Sequence, residues 1–128
     1  MKSGPDWRGE TAIVIASGPS ATDAPLDRAY GRARAIAVNE SWRLAPWADA
    51  LYACDGAWWR RHDGVSAFEG LKLSYEAAAC RQFGLIRVDI ARGINRLLLD
   101  GESIGDGGNS GFQALNLALR WGARRILL

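Results

Sequence analysis

The chain has 128 residues and a mass of 13.9 kDa, with 48% hydrophobic and 23% charged residues. This composition is typical of one soluble globular domain, and the net charge of only +2 excludes an intrinsically disordered chain. No apolar run approaches the roughly 20 residues of a membrane span, and the polar segment 1–10 is not a secretory signal.

The charged and sulfur-containing residues exclude several kinds of site. Of the 16 basic residues only Lys2 and Lys72 are lysine, and the arginines are scattered among 14 acids without a basic stripe, so nucleic acid is not predicted as a partner. The two cysteines, Cys54 and Cys80, are too few for a disulfide framework or a zinc cluster. We interpret each as a small buried thiol in the reducing cytoplasm.

Short apolar runs alternate with helix-like stretches along the chain. The run 11–16, Thr-Ala-Ile-Val-Ile-Ala, has no polar alternation and predicts a strand buried on both faces. Further strands are predicted at 33–39, 50–55, 71–75, 85–90 and 123–128, and helices at 22–31, 40–45, 56–62, 76–83 and 110–121. This alternation favours a three-layer α/β fold, with a mostly parallel sheet of about five to six strands and helices on both faces.

The ends of the pattern carry two further expectations. The glycine-rich stretch 91–108 is predicted to be the least ordered part of the chain. The last strand stops at Leu128 without a turn or cap, so we expect the single domain 1–128 to continue in the natural protein.

Two turns could bind a ligand through their backbone. Ser17-Gly18-Pro19-Ser20 follows the first strand directly, where parallel sheets bind ligands and a glycine lets a phosphate approach. The segment Gly105–Gly111 opens the last helix, and its residues Gly108, Asn109, Ser110 and Gly111 could offer N–H groups to an anion. Ordinary turns with capping Ser or Asn side chains are the alternative for both segments.

Polar side chains also follow the second and third predicted strands. Asn39 and Asp55 would project at the same sheet edge as the two turns, where Asn39 could bond a base or phosphate and Asp55 a ribose hydroxyl or a metal. An N-cap for the following helix is the alternative for both residues, and for Asp55 it is an equally good interpretation.

The aromatic pair Trp58-Trp59 is the remaining conspicuous feature. Adjacent helical side chains point about 100° apart, so the two rings are not expected to share one core face. Packing under a neighbouring loop is favoured, and stacking on a base or covering a partner surface is the alternative. The lone His62 beside Arg60 and Arg61 is interpreted as a surface residue, and no catalytic residue is assigned.

Three segments, Ile13–Ser20, Ala37–Trp42 and Asn109–Leu128, resemble a Rossmann-like group. That group comprises bacterial lipooligosaccharide sialyltransferases, 6-hydroxymethylpterin diphosphokinase-like proteins and uncharacterised phage and prophage proteins. The resemblance implies a nucleotide site at Gly18, Pro19, Ser20, Asn39, Ser110 and Gly111, holding a CMP-sugar or ATP, with magnesium as a candidate cofactor. The chain differs from those sialyltransferases at Ser17, where they carry Asn, and it has no counterpart of their later catalytic histidine.

We therefore expect a nucleotide- or nucleotide-sugar-binding domain of a transferase for glycosyl or diphospho transfer. A non-enzymatic phage-derived assembly protein, oligomeric through its tryptophans, is the second hypothesis. A nucleotide sensor without turnover is the third.

Overall fold

The structure, a computed structural model, describes residues 4–16 and 26–128. The strands are β1 (Thr11–Ile15), β2 (Arg34–Val38), β3 (Ala50–Tyr52), β4 (Leu71–Ser74), β5 (Ile86–Arg87), β6 (Asp89–Ala91), β7 (Ser103–Gly105) and β8 (Arg125–Leu127). The helices are α1 (Gly56–Arg61), α2 (Ala77–Phe83) and α3 (Ser110–Arg120), with 3₁₀ helices at Leu26–Arg28 and Asn39–Arg43. None of the helices described is long and apolar enough to cross a membrane.

Six strands form one parallel sheet in the order β5-β4-β3-β2-β1-β8. Val14 of β1 pairs with Ile36 of β2, and Ile36 pairs with Ala50 of β3. The predicted three-layer α/β fold with a mainly parallel sheet is confirmed. Because all six strands run the same way, their carboxyl ends meet at one edge of the sheet.

The two faces of the sheet carry separate cores, as the two-residue period of a strand requires. On one face Val14, Ile36 and Tyr52 pack with Leu117 and Ala118 of α3. The opposite face supplies a second cluster, covered by α1, α2 and the loops around them; its sheet residues are Ile15, Ala35, Ala37, Leu51 and Ala53. Burial on both faces explains the unbroken apolar runs in the sequence.

The predicted single strand 85–90 is wrong, because the chain changes sheets at Val88. Val88 is fully buried, and its N–H donates to the carbonyl of Ser74, the last residue of β4, at 2.8 Å. After this hydrogen bond the chain leaves the main sheet, so β5 is its last strand on this side. The chain then continues as β6, which pairs in parallel with β7 in a second, two-stranded sheet. The stretch 91–108, predicted to be the least ordered, therefore contains an element that sequence patterning missed.

The remaining predicted elements match to different extents. The helices at 56–62, 76–83 and 110–121 correspond to α1, α2 and α3. The stretch 40–45 forms a 3₁₀ helix rather than an α-helix, and of the predicted helix 22–31 the described part holds a three-residue 3₁₀ helix and turns. The turn Ser17–Ser20 lies outside the described residues.

Replacing Leu117 with Ala should lower the free energy of unfolding by about 2–5 kcal/mol, because Leu117 is fully buried between α3 and the sheet. Urea denaturation followed by circular dichroism measures the change. Leu99→Ala is the matched control, since its side chain is 71% exposed and should change stability by less than about 0.5 kcal/mol. Equal losses in both variants would contradict the described core.

Candidate functional site

The start of α3 lies at the carboxyl edge of the sheet, between the ends of β1 and β3. The Cys54 N–H, just past β3, donates to Ser110 Oγ at 3.4 Å. Gly111 faces the end of β1 so closely that a Cβ placed on it would stand 3.9 Å from the Ala16 Cβ. The structure thus brings the Gly108–Gly111 segment to the residue that immediately precedes the predicted Ser17–Ser20 turn.

Two adjoining clefts lie at this edge. The smaller, about 190 Å³, is lined by Cys54, Arg92, Asp106, Gly108, Asn109, Ser110 and Gln113. The larger, about 400 Å³, is lined by Cys54, Asp55, Gly56, Tyr75, Glu76 and Arg92. Cys54 and Arg92 line both clefts, so the two form one continuous region, which we call the carboxyl-edge cleft. Four residues predicted from the sequence face it: Asp55, Gly108, Asn109 and Ser110.

Asn39 and Asp55 both have clear local roles. Asn39 has a φ of 52°, in the left-handed region that Asn tolerates better than most residues, and it starts the 3₁₀ helix after β2. Asn39 lines neither part of the carboxyl-edge cleft. Asp55 caps α1, because its Oδ1 accepts from the Ala57 N–H at 3.0 Å. The capping interpretation of Asp55 is therefore confirmed, although the residue also faces the larger part of the cleft.

Asn109 caps α3 in the same way. Its backbone is extended, with φ at −156°, and its Oδ1 accepts from the Phe112 N–H at 2.8 Å. The first N–H groups of a helix have no acceptor within the helix. Since Asn109 satisfies Phe112, the N–H groups of Ser110 and Gly111 are the ones left for a ligand at this end of α3.

Arg92 and Asp106 are functional candidates that the sequence analysis missed. Arg92 follows β6 and lies over the Tyr75 ring, 5.4 Å from its centroid. Asp106 follows β7, and its Oδ2 is 3.8 Å from Arg92 Nε. Arg92 stands in a stretch without periodicity, whereas Asp106 lies inside the glycine-rich segment and could have been singled out there.

Asp106 is held rigidly by its surroundings. Its Oδ2 accepts from the Gly93 N–H at 2.9 Å and its Oδ1 from the Gly108 N–H at 3.3 Å. Its carbonyl accepts from Gln113 Nε2 at 2.8 Å, and Gln113 in turn accepts from the buried Tyr52 hydroxyl at 2.7 Å. The backbone hydrogen bonds, chiefly that from Gly93, hold the pKa of Asp106 below its ordinary value. The carboxylate is therefore ionised at neutral pH.

α3 also supports the loop that carries Arg92. Asn116 is fully buried, and its Oδ1 accepts from the N–H groups of Leu98 and Gly105 at 3.0 and 2.8 Å. Its Nδ2 donates to the Leu98 carbonyl at 2.9 Å. One turn further along, the Arg120 guanidinium donates to loop carbonyls, among them that of Ser103 at 2.8 Å. The second sheet is thus tied to α3 by polar groups as well as by apolar packing.

Trp58 and Trp59 both belong to the core, so the expectation that they cannot share a core face is wrong. Trp59 is fully buried and Trp58 is 6% exposed, and the two rings pack edge to face with centroids 5.0 Å apart. The chain after α1 folds back over them with Val65 and Phe68, which closes the side of the helix that would otherwise face water. Neither ring is exposed to stack on a base or to meet a partner.

His62 is less exposed than a typical surface residue. Its Nε2 lies 2.7 Å from Glu40 Oε1, and its ring centroid is 4.4 Å from that of Trp58. Arg43 and His62 together hold the pKa of Glu40 below its ordinary value, with the Arg43 hydrogen bond as the larger cause. The pair links the 3₁₀ helix after β2 to the end of α1 and lines neither part of the carboxyl-edge cleft.

The cysteines differ in exposure, so the interpretation of both as buried thiols holds only for Cys80. Cys80 is buried in α2, whereas Cys54 is half-buried and lines the cleft. Burial raises the pKa of both thiols. In the part of the chain that is described, no three His, Cys, Asp or Glu side chains converge in a metal-binding group.

A third cleft, about 670 Å³, lies at the opposite edge, where the strands begin. Tyr30 and Trp47 pack edge to face there with centroids 5.2 Å apart. Arg34 bonds both Glu10 and Asp49, at 3.0 and 3.3 Å, so its charge is already matched. Of the predicted site residues that the structure describes, none lines this cleft.

Replacing Asn116 with Leu should lower the free energy of unfolding by about 1–3 kcal/mol, because two N–H groups lose their buried acceptor. Hydrogen exchange should speed up at the Leu98 and Gly105 amides. The exposed Asn95→Leu is the control and should leave both amides unchanged. Unchanged protection at Leu98 and Gly105 in the Asn116 variant would contradict this account of the loop.

Alkylation by iodoacetamide should report the environments of the two thiols, since the thiolate is the reactive form. With raised pKa values both cysteines carry less thiolate near pH 8 than they do in the unfolded chain, so both should react more slowly in native protein than in urea. Half-buried Cys54 should react faster than buried Cys80. Mass spectrometry of the labelled peptides measures both rates. Native Cys54 reacting as fast as in urea would contradict its placement.

Comparisons with known proteins assign no family to this fold and cleft. No family model matches the chain, and no curated protein and no solved structure matches it. The functional proposal therefore depends on the geometry of the carboxyl-edge cleft and on the resemblance carried by the three short sequence segments.

Proposed function

We propose that this domain binds a nucleotide or nucleotide-sugar at the carboxyl-edge cleft, as the donor-binding part of a transferase. The observation that carries the proposal is the position of the α3 N-terminus, which meets the ends of β1 and β3 beside an exposed arginine. Ligands of open parallel α/β sheets bind outside the carboxyl ends of the strands, where such elements converge.

The start of α3 supplies the backbone part of a phosphate site. The N–H groups of Ser110 and Gly111 point away from the helix and lack intrahelical acceptors. The helix dipole adds a partial positive charge at the same place, and α3, with eleven residues, is long enough to develop it. Gly111 itself lines neither part of the cleft, and the space that its side chain would fill faces Asn109 Oδ1 and the Ala16 Cβ.

Arg92 supplies the charged part of the phosphate site. Its side chain is 62% exposed, and its Nε is 3.8 Å from Asp106 Oδ2, which is longer than a hydrogen bond. The guanidinium therefore keeps donors for a phosphate, and its planar fork suits two phosphate oxygens at once. Stacking on Tyr75 restricts where the fork can point.

The larger part of the cleft accommodates the base or the transferred sugar of a nucleotide-sugar, and the ribose lies in the smaller part. Its volume of about 400 Å³ falls within the range of small-molecule sites, and the Tyr75 ring and the Asp55 carboxylate lie on its wall. In a transfer reaction the groups at Arg92, Ser110 and Gly111 would stabilise the negative charge that develops on the leaving phosphate. The resemblance to sialyltransferases and pterin diphosphokinase-like proteins favours a CMP-sugar or ATP, with magnesium as a candidate companion of the phosphates.

Isothermal titration calorimetry with CMP and with ATP, each with and without magnesium, tests this proposal. We expect saturable binding, and we expect Arg92→Gln to weaken it by about tenfold because a charge-assisted hydrogen bond to phosphate is lost. Arg81→Gln is the matched control, since Arg81 is exposed in the last turn of α2 and does not line the cleft. This variant should bind each nucleotide with the same affinity as the natural protein. No heat and no thermal shift at millimolar nucleotide would overturn the proposal.

A further inference from the structure

We infer that Asp106 is a specificity-determining residue, which accepts hydrogen bonds from the vicinal hydroxyls of a ribose and makes the cleft prefer ribonucleotides to deoxyribonucleotides. The inference deepens the proposed function and rests on it. Asp106 lines the smaller part of the carboxyl-edge cleft together with Arg92, Asn109 and Ser110, so its carboxylate stands among the groups proposed to hold phosphate.

Within this cleft an ionised carboxylate selects which ligand group can lie beside it. A phosphate placed against Asp106 would be repelled by a like charge, at a side chain that is only 14% exposed and poorly screened by water. The group next to Asp106 therefore has to be a hydrogen-bond donor. The phosphate therefore has to contact Arg92 and the α3 N-terminus without lying against Asp106.

The neighbouring charge of Arg92 narrows the kind of donor. A cationic donor such as an amine would be repelled by the guanidinium, whose Nε lies 3.8 Å from Asp106 Oδ2. A neutral hydroxyl avoids both repulsions. In a nucleotide, the neutral hydroxyls nearest to the phosphate are the 2′ and 3′ hydroxyls of the ribose that carries it.

The carboxylate also has the remaining acceptor capacity and the rigidity that such recognition needs. Two carboxylate oxygens offer about four lone-pair positions, and the N–H groups of Gly93 and Gly108 use one on each oxygen. The remaining positions, which the Gln113 amide and Arg92 Nε also approach, can accept from the O–H groups of a vicinal diol. Because the Gln113 amide holds the Asp106 carbonyl and Asn116 holds the preceding Gly105 N–H, the carboxylate cannot easily turn away.

The test compares CMP with 2′-deoxy-CMP, and ATP with 2′-deoxy-ATP, by calorimetry on the natural protein. We expect each ribonucleotide to bind about tenfold more tightly, the size of one hydrogen bond to a charged group. Asp106→Asn should bring the ratio of the two affinities close to one, because the amide keeps one acceptor but loses the charge. Asp89→Asn is the matched control, since Asp89 lies on β6 outside the cleft and should leave the ratio unchanged.

Each outcome decides a different point. If CMP and deoxy-CMP bind equally to the natural protein, the role of Asp106 is overturned while the nucleotide site stands, and this comparison needs no variant to fold. If neither binds, the proposed function fails and this inference fails with it. If binding requires magnesium and Asp106→Asn weakens both nucleotides alike in a protein of unchanged melting temperature, Asp106 acts through the cation, and the hydroxyl assignment is overturned.

Discussion

A row of polar side chains on the inner side of α3 determines the shape of the carboxyl-edge cleft. Gln113 and Asn116 are buried on a helix that otherwise packs through Ala114, Leu117 and Ala118. Burying an amide is unfavourable unless its hydrogen bonds are made. Each of these two side chains is therefore stable in the core only while it is hydrogen-bonded to the backbone of the neighbouring loop. Gln113 holds the carbonyl of Asp106, and Asn116 holds the N–H of Gly105. The end of β7 is therefore fixed to α3 by hydrogen bonds of two side chains that are buried from water.

The same row explains how a two-stranded sheet can persist beside the main one. Two strands with three residues each are marginal on their own. Here Ile90 and Ile104 are buried in the core cluster beneath α3, and Arg120 binds carbonyls of the loop that connects them. The polar contacts fix the register, while the apolar contacts supply most of the free energy. Arg92 and Asp106, at the ends of these strands, consequently have defined positions although they lie in a glycine-rich stretch.

The sequence predicted the parts of this fold that depend on hydrophobic patterning. Runs such as Thr11–Ala16 are buried on both faces, and that condition is visible in composition alone. β7 escaped prediction because three residues next to glycines make no pattern, and its attachment to α3 is made by Asn116, which is 11 residues away from Gly105. For Trp58 and Trp59 the helical wheel wrongly separated the two rings, whereas the favoured packing under a neighbouring loop is confirmed by the chain around Phe68.

The candidate site was predictable only in part, for a related reason. Capping residues and glycine turns predict the start of α3, and the parallel sheet predicts that this start lies at its carboxyl edge. Periodicity carries no information about a charged side chain such as Arg92. This residue acquires its position only because the chain leaves the main sheet at Val88 and continues as β6. The turn Ser17–Ser20 is beyond the described residues, so its predicted part in the site stays a prediction.

Cleft size alone does not identify the binding site in this fold, because the available charge differs between the two edges. The cleft at the opposite edge contains Arg32 and Arg34, and the Arg34 guanidinium already donates hydrogen bonds to Glu10 and Asp49. At the carboxyl edge the acid nearest to Arg92 stands at 3.8 Å, and that acid is itself satisfied by two backbone N–H groups. A ligand phosphate gains more from a guanidinium with free donors than from one that must first break two ion pairs. The carboxyl-edge cleft is the stronger candidate because Arg92 there stands beside the start of α3, whereas no helix begins among the described residues that line the opposite cleft.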